Sequence, residues 1–262
     1  MRSSQAASLQ APQPSRRSVL GMFAGAAAAS GFSPLAAQTF ERPVVIEMFT
    51  SQGCSSCPPA DKLLMGVARR PNVIALSLPV DYWDYIGWKD TFGKPEHTLR
   101  QKGYAKMRGD GQVYTPQAVV DGMKHVVGSD MKAIEAAASG AFGKAGAMSA
   151  PMKTRESGGN LIVEIGASQD GAPRVASLMI FRVSSSREVQ IGRGENSGRR
   201  LHYVNVVRSF ETAGEWNGKP ARFEISRDRL LGPENDGWVL LLQAGSAKRP
   251  GAILAAAKSA GI

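Results

Sequence analysis

Hydrophobic and polar positions follow two different rhythms along this chain. Between Pro43 and Phe49 the run PVVIEMF is apolar and β-branched at almost every position, the mark of a strand buried on both faces. After the polar turn Thr50 to Gly53, the stretch Pro58 to Ala68 sets Ala60, Leu63, Leu64, Val67 and Ala68 at helical spacing, with proline allowed in the first turn. Asn72 to Pro79 reads as a second strand, and a helix between two such runs makes a right-handed parallel crossover the natural connection. Val80 to Gly93 sets Tyr82, Trp83, Tyr85, Trp88 and Phe92 among polar residues and glycines, which suits an irregular segment with aromatic anchors. Pro95 to Met107 predicts an amphipathic helix leaving through the polar Arg108 to Gly111. Val113 to Gly122 is a Thr-Pro step opening an apolar strand that ends in an Asp-Gly turn, with Lys124 to Val127 as its hairpin partner and Ser129 as cap of a helix to about Phe142.

Beyond that helix the rhythm changes. Gly143 to Pro151 is small, flexible and reads as a linker. Short alternating runs follow at Leu161 to Gly166, Ala176 to Val183, Leu201 to Ser209, Arg222 to Ser226 and Trp238 to Ala244, separated by Gly-rich turns. They predict a small all-β sandwich, and the alanine-rich Gly251 to Ala260 predicts a short closing helix. The expected organisation is an α/β domain over 38–142, a linker over 143–151 and a β-sandwich domain over 152–262.

Composition bounds the function classes. With 262 residues, 43% hydrophobic and 21% charged, the chain can bury one large core or two smaller ones. Residues 1–37 combine a Ser-rich start, the pair Arg16-Arg17, a modest apolar run from Val19 to about Ala29 and small residues at Ala36-Ala37, which reads as a cleaved export signal. Ser15 to Leu20 resembles a twin-arginine motif, although Val19 and Gly21 depart from it. The alternative is a general secretory signal with a chance arginine pair. No later stretch approaches the roughly 18 consecutive apolar residues of a membrane span, so a periplasmic or secreted location is expected. Without residues 1–37 the net charge falls from +10 to about +7, with 29 basic against 22 acidic residues. For an exported protein that surplus points away from nucleic acid and toward weak contact with anionic surfaces, or simply toward a solvated basic exterior.

The chemistry concentrates in SQGCSSCPPAD, Ser51 to Asp61, which holds both cysteines of the chain, Cys54 and Cys57. A structural disulfide gains most by closing a long loop, and a four-residue ring is worth only about 2 kcal/mol in chain entropy, so redox chemistry gains weight. Cys54, ahead of a helix N-terminus, is the expected nucleophile, and Cys57 the resolving thiol one turn later. Ser55 and Ser56 can donate to the Cys54 sulfur or serve only to start the helix. Pro58-Pro59 can delay the regular helix to near Pro59 and leave the cysteines in an irregular turn. Glu47, an acid inside an apolar strand, is either a buried base or a strand-end group reaching solvent. Tyr82, Trp83 and Trp88, with Tyr85, can wall a client groove or seal a core edge. Gly192 to Arg200 fits no nucleotide-binding glycine spacing and reads as a basic hairpin tip.

The segments VVIEMFTSQGCSSC and YTPQAVVDG resemble the two signature stretches of thioredoxins, over about residues 43–142. More narrowly, EMFTSQGCSSCPPAD, DYWDYIGW, VYTPQAVVDG and GENSGRRLHYVNVVR resemble a family of exported bacterial thioredoxin-like proteins of undefined function with an appended β domain. The resemblance implies an α/β thioredoxin-like domain followed by a small all-β sandwich domain, a cis bond at Pro116 opposite the cysteines, and a Thr115 backbone free to pair with a client. The narrower family supplies an architecture and not a reaction; the cysteine pair itself leads to the expectation of a thiol-disulfide oxidoreductase without added cofactor, acting on thiol or disulfide clients with a redox partner. In thioredoxins a buried acid lies six residues before the first cysteine, whereas Glu47 lies seven before Cys54.

Two other classes fit the same pair. Cys54 and Cys57 could hold Cu(I) with Met48, Met123 or His125 completing the site, although none of the three histidines lies in a ligand-spaced cluster. A non-catalytic binding module is the remaining alternative.

Overall fold

The computed structural model describes residues 43–141, 146–169, 171–246 and 248–262. The expected export signal, and residues 143–145 of the linker expected over 143–151, lie outside them.

The first apolar run forms β1 (Val44–Phe49), buried throughout, and the second forms β2 (Val73–Ser77), parallel to it in the register Val44 with Val73. Between them α1 (Pro58–Ala68) supplies the crossover. Then α2 (Pro95–Arg108) starts on a proline and stops at Gly109, whose positive φ of 77° ends the helix. The Asp-Gly hairpin is present as β3 (Gln117–Val120), antiparallel to β1, and β4 (Lys124–Val127). α3 (Met131–Ala141) follows, with the Asp130 carboxylate rather than Ser129 accepting a first-turn amide, from Ala133 at 3.0 Å.

In the second half β5 (Met152–Ser157), β6 (Asn160–Ile165) and β9 (Ala221–Ser226) form a three-stranded antiparallel sheet. Two long strands, β7 (Ala176–Gln190) and β8 (Arg200–Trp216), make a hairpin that runs well past the lengths the apolar runs suggested. A single helical turn, α4 (Arg227–Leu230), precedes β10 (Gly237–Ser246). The last element is β11 (Arg249–Lys258), antiparallel to β10. The closing helix expected over 251–260 is therefore corrected. Its alanine content favours a helix, but Ile253 and Leu254 are fully buried against the sheet, and packing overrides local preference.

The larger correction concerns architecture. The described residues do not divide into a helix-flanked thioredoxin-like domain and a separate small sandwich. One eight-stranded mixed sheet, in the order β11-β10-β7-β8-β2-β1-β3-β4, runs through both halves of the chain. Its joint is β2 with β8, parallel, at Ser77 with Val206. Nearby, the Asn205 side-chain amide donates to the Ala75 carbonyl at 2.9 Å. Residues Thr39–Ile262 accordingly form one compact unit.

Strand alternation divides the core. Val239 and Leu241 of β10, with Phe181 of β7 and Val207 of β8, join Phe49, Leu76 and Tyr104 under α2. Trp238, Leu240 and Leu242 point the other way, onto Leu161, Val163 and Ile225 of the three-stranded sheet. Around β1, Ile46 and Met48 face α1 and α3 through Leu64, Val67 and Ile134. Each such large side chain contributes about 2 kcal/mol by leaving water.

Candidate functional site

The cysteine loop begins where β1 ends. Thr50, Ser51, Gln52 and Gly53 are buried, and turn hydrogen bonds run from the Cys54 amide to the Ser51 carbonyl (3.1 Å) and from the Cys57 amide to the Cys54 carbonyl (3.2 Å). Cys57 is the N-cap of α1 and Pro58 its first residue, so the helix starts one residue before Pro59 and Cys54 to Cys57 form the turn ahead of it. The prolines occupy the first turn, where no intrahelical donor is needed. Cys54 and Cys57 are joined in a disulfide.

Both sulfur-bearing residues are sealed, with Cys54 1% and Cys57 0% exposed. Ser55 and Ser56 are exposed above them, and Ser56 Oγ lies 3.4 Å from Cys54 Sγ. The seal includes a part of the chain that sequence reasoning set aside. The tip of the β7–β8 hairpin folds over the loop, and buried Asn196 donates from its amide to the carbonyls of Gln52 and Cys54, each at 2.9 Å. The Glu195 carboxylate accepts the Ser55 amide at 3.2 Å. These residues stand about 140 positions from the cysteines, and nothing local marks their partners. The glycine-flanked Asn at a hairpin tip was the one available signal.

Aromatic residues join the other side. Trp83 rests its Cβ against Gly53 and donates from its indole nitrogen to Thr115 Oγ1 at 2.8 Å. Trp88 donates to Gln52 Oε1 at 2.8 Å and packs against Gly192 of the hairpin tip. Tyr82 turns inward to Gln101, where burial pushes its hydroxyl up to about 12. Tyr85 is 81% exposed and stacks on Trp83. Thr115-Pro116 is a cis peptide. Because Phe49 pairs with Gln117, Pro116 falls opposite Thr50, at the root of the cysteine loop. The structure thus brings Cys54, Cys57, Thr115, Pro116, Ser55, Ser56, Trp83 and Trp88 to one end of the sheet.

Glu47 is elsewhere. It points to the α2 face, where Arg100 Nε lies 2.6 Å from one carboxylate oxygen and the Tyr104 hydroxyl donates to the other. Arg100 also reaches Gln243 of β10 at 2.9 Å, so Glu47 belongs to a buried tie between the two halves of the sheet.

Other acids surround the loop. Asp61, four residues after Cys57 and so on the same face of α1, is buried and accepts from Thr50 Oγ1 at 2.9 Å. Burial, and then the charge of Asp90, push its carboxyl well above the usual carboxylate range against the Thr50 bond. Asp90 takes the Gln52 amide at 2.7 Å and those of Phe92 and Gly93, yet burial raises it to about 6. The Tyr203 hydroxyl is raised by burial and by both carboxylates.

The other donors named for copper lie on three different elements. Met48 packs beside Pro116 and Gly128, Met123 lies against the core of the three-stranded sheet, and His125 contacts Asp110 and Tyr114. Among the described residues no group of three or more His, Cys, Asp or Glu side chains could hold a metal ion. No helix among them is long and apolar enough to cross a membrane, and the disulfide is compatible with an oxidising compartment.

A mixed sheet carrying a capped Cys-x-x-Cys disulfide defines the class. Residues 45–243 match the model of a protein family of unknown function, DUF1223, and the chain belongs to that family. An X-ray crystal structure of a protein from Agrobacterium tumefaciens is similar at a TM-score of 0.74 and 31% identity, over 86% of this chain and 97% of that one. HBP35 of Porphyromonas gingivalis shares the fold more distantly, at a TM-score of 0.52 and 13% identity over 84% of this chain and 76% of that one. No curated protein matches.

Proposed function

We propose that the protein is an exported thiol-disulfide oxidoreductase whose working group is the Cys54–Cys57 pair. The observation that carries the reading is a disulfide across one turn, at the start of α1, with cis-Pro116 at the root of its loop. As a staple it stabilises the chain by only about 2 kcal/mol. The likeness of the two sequence segments to thioredoxins supports the same chemistry, and a distant relation to that superfamily is part of the proposal.

In the oxidising direction a client thiolate attacks Cys54 Sγ. The Cys54–Cys57 bond breaks, a mixed disulfide forms, and the Cys57 thiolate leaves and takes a proton. A second client thiolate then attacks the client sulfur of the mixed disulfide. Two electrons pass to the pair, leaving two thiols, and the client departs as a disulfide. The reverse sequence reduces a client. Since Cys54 is 1% exposed, attack follows local opening, and the hairpin tip at Glu195 and Asn196 is the part that must lift.

The test is a redox titration of the folded protein in dithiothreitol buffers, quenched by alkylation and read by mass spectrometry. The expected result is a reversible two-electron midpoint, and a trapped mixed disulfide with a dithiol peptide in Cys57→Ser. A pair that stays oxidised until the protein is unfolded would overturn the reading.

A further inference from the structure

Helix α2 buries polar residues and exposes apolar ones. Its inner face holds His97, Arg100 and Gln101, while Leu99 is 64% and Met107 50% exposed, the reverse of what a surface helix ordinarily presents. Beside Leu99, α2 together with β8 and the turn between β10 and β11 encloses a groove of about 420 Å³, within the roughly 300–1,000 Å³ of small-molecule sites. Gly103 sets one wall, since a Cβ there would meet Pro250 at 2.8 Å and the Lys248 carbonyl at 3.1 Å, and the helix therefore lies directly on the turn. Phe210 is the fixed part of the floor. Its ring stacks on Phe181 at 5.2 Å and on His97 at 6.3 Å, with the Arg100 guanidinium 5.6 Å away. Arg100 itself is engaged by Glu47, Tyr104 and Gln243. The surface that faces the groove is almost wholly apolar.

Charge around the groove is one-sided. Lys102, Lys106 and Lys248 line it against the single acid Glu96, and none of the three lysines has an ion-pair partner among the described residues. An apolar floor disfavours a peptide backbone, whose amides would lose water without gaining partners, and accepts a hydrocarbon chain. A cationic rim selects a negative head. We propose that this groove binds a free fatty carboxylate, with its chain along Leu99 and Phe210 and its carboxylate at the lysine rim. The groove shares no residue with the cysteine loop, so the inference stands apart from the redox reading.

The test is calorimetric titration of the full chain with sodium dodecanoate, below its micelle concentration and at pH 8, where the carboxylate is ionised. Saturable one-to-one binding is expected, with a Kd of about 10–100 µM. Leu99→Asp should abolish it, and because Leu99 is exposed the circular dichroism spectrum should not change. Lys102→Glu combined with Lys106→Glu should weaken binding about tenfold or more. Dodecanol should bind about tenfold more weakly than dodecanoate, and dodecyltrimethylammonium should not saturate. Heat that never saturates, or a Kd indifferent to Leu99→Asp, would overturn the proposal. Equal affinity for dodecanol would remove the role of the lysines and overturn it too. Binding to phosphatidylglycerol vesicles with none to dodecanoate would assign the face to a membrane surface and sink the fatty-acid site.

Discussion

Buried ionisable residues outside the cysteine loop show how burial decides what a side chain does. Glu47 and Arg100 are 0% and 3% exposed and satisfy each other, so neither is free for proton transfer at the cysteines. Breaking such a pair leaves an uncompensated charge, and Glu47→Gln should cost about 3 kcal/mol or more in urea denaturation. Once the variant is folded, its exchange chemistry at Cys54 should be unchanged. His97 is sealed under Phe210 with one ring nitrogen on the Pro79 carbonyl, and burial, chiefly, lowers it from 6.5 to about 4. Its depressed value means that the native state binds fewer protons than the unfolded state between those limits. The stability it lends is whole above pH 6.5 and is lost as pH falls through 4, by about 3 kcal/mol. Asp90, raised to about 6, acts in the opposite sense: its contribution is whole below the ordinary carboxylate value and lost as pH rises through 6. Urea midpoints at pH 7 and pH 4.5 should therefore fall less in His97→Gln than in the wild type.

At the scale of elements, the β7–β8 hairpin matters most, because its outer end reaches past the sheet to the cysteine loop. Ile191, Leu201 and Tyr203 pack with Trp88 and Phe92 and hold the tip in place. Asn196→Ala removes two hydrogen bonds of about 1 kcal/mol each. Opening should become about tenfold or more frequent, and reduction of the disulfide by a small thiol should accelerate by that factor, with the thermal midpoint lowered by about 4–8 °C. An unchanged rate would show that access runs by another route. A second contact between elements lies at the Asp121-Gly122 turn, where φ of Gly122 is 70° and a Cβ would sit 2.2 Å from the Gly251 carbonyl of β11. Gly122→Ala should destabilise by more than about 2 kcal/mol, measured by denaturant unfolding.

On the scale of the whole molecule, the sheet shared by both halves predicts a single cooperative transition. Gln243 joins Arg100 and Tyr104, the Ile253 amide donates to the Asp121 carbonyl, and Lys258 donates to the Val73 carbonyl. A fragment covering residues 38–142 loses every one of these partners and one neighbour of β2. It should show no cooperative unfolding by calorimetry, while the full chain unfolds with coincident near- and far-ultraviolet signals.

Local pattern determined much of this protein. The two parallel strands, the helix after the cysteines, the Asp-Gly hairpin and the alternating strands of the second half were legible because backbone preference and side-chain period act within about a dozen residues. Asp61 was within reach too, since four residues along a helix place it on the face of Cys57. What the tertiary structure alone decided is pairing at long range. The joining of β2 to β8, the strand in place of an alanine-rich helix at 249–258, the partnership of Glu47 with Arg100 and the lid of Glu195 and Asn196 all depend on which surfaces exclude water together. That choice is made by the summed burial of the folded chain, and no window of sequence contains it.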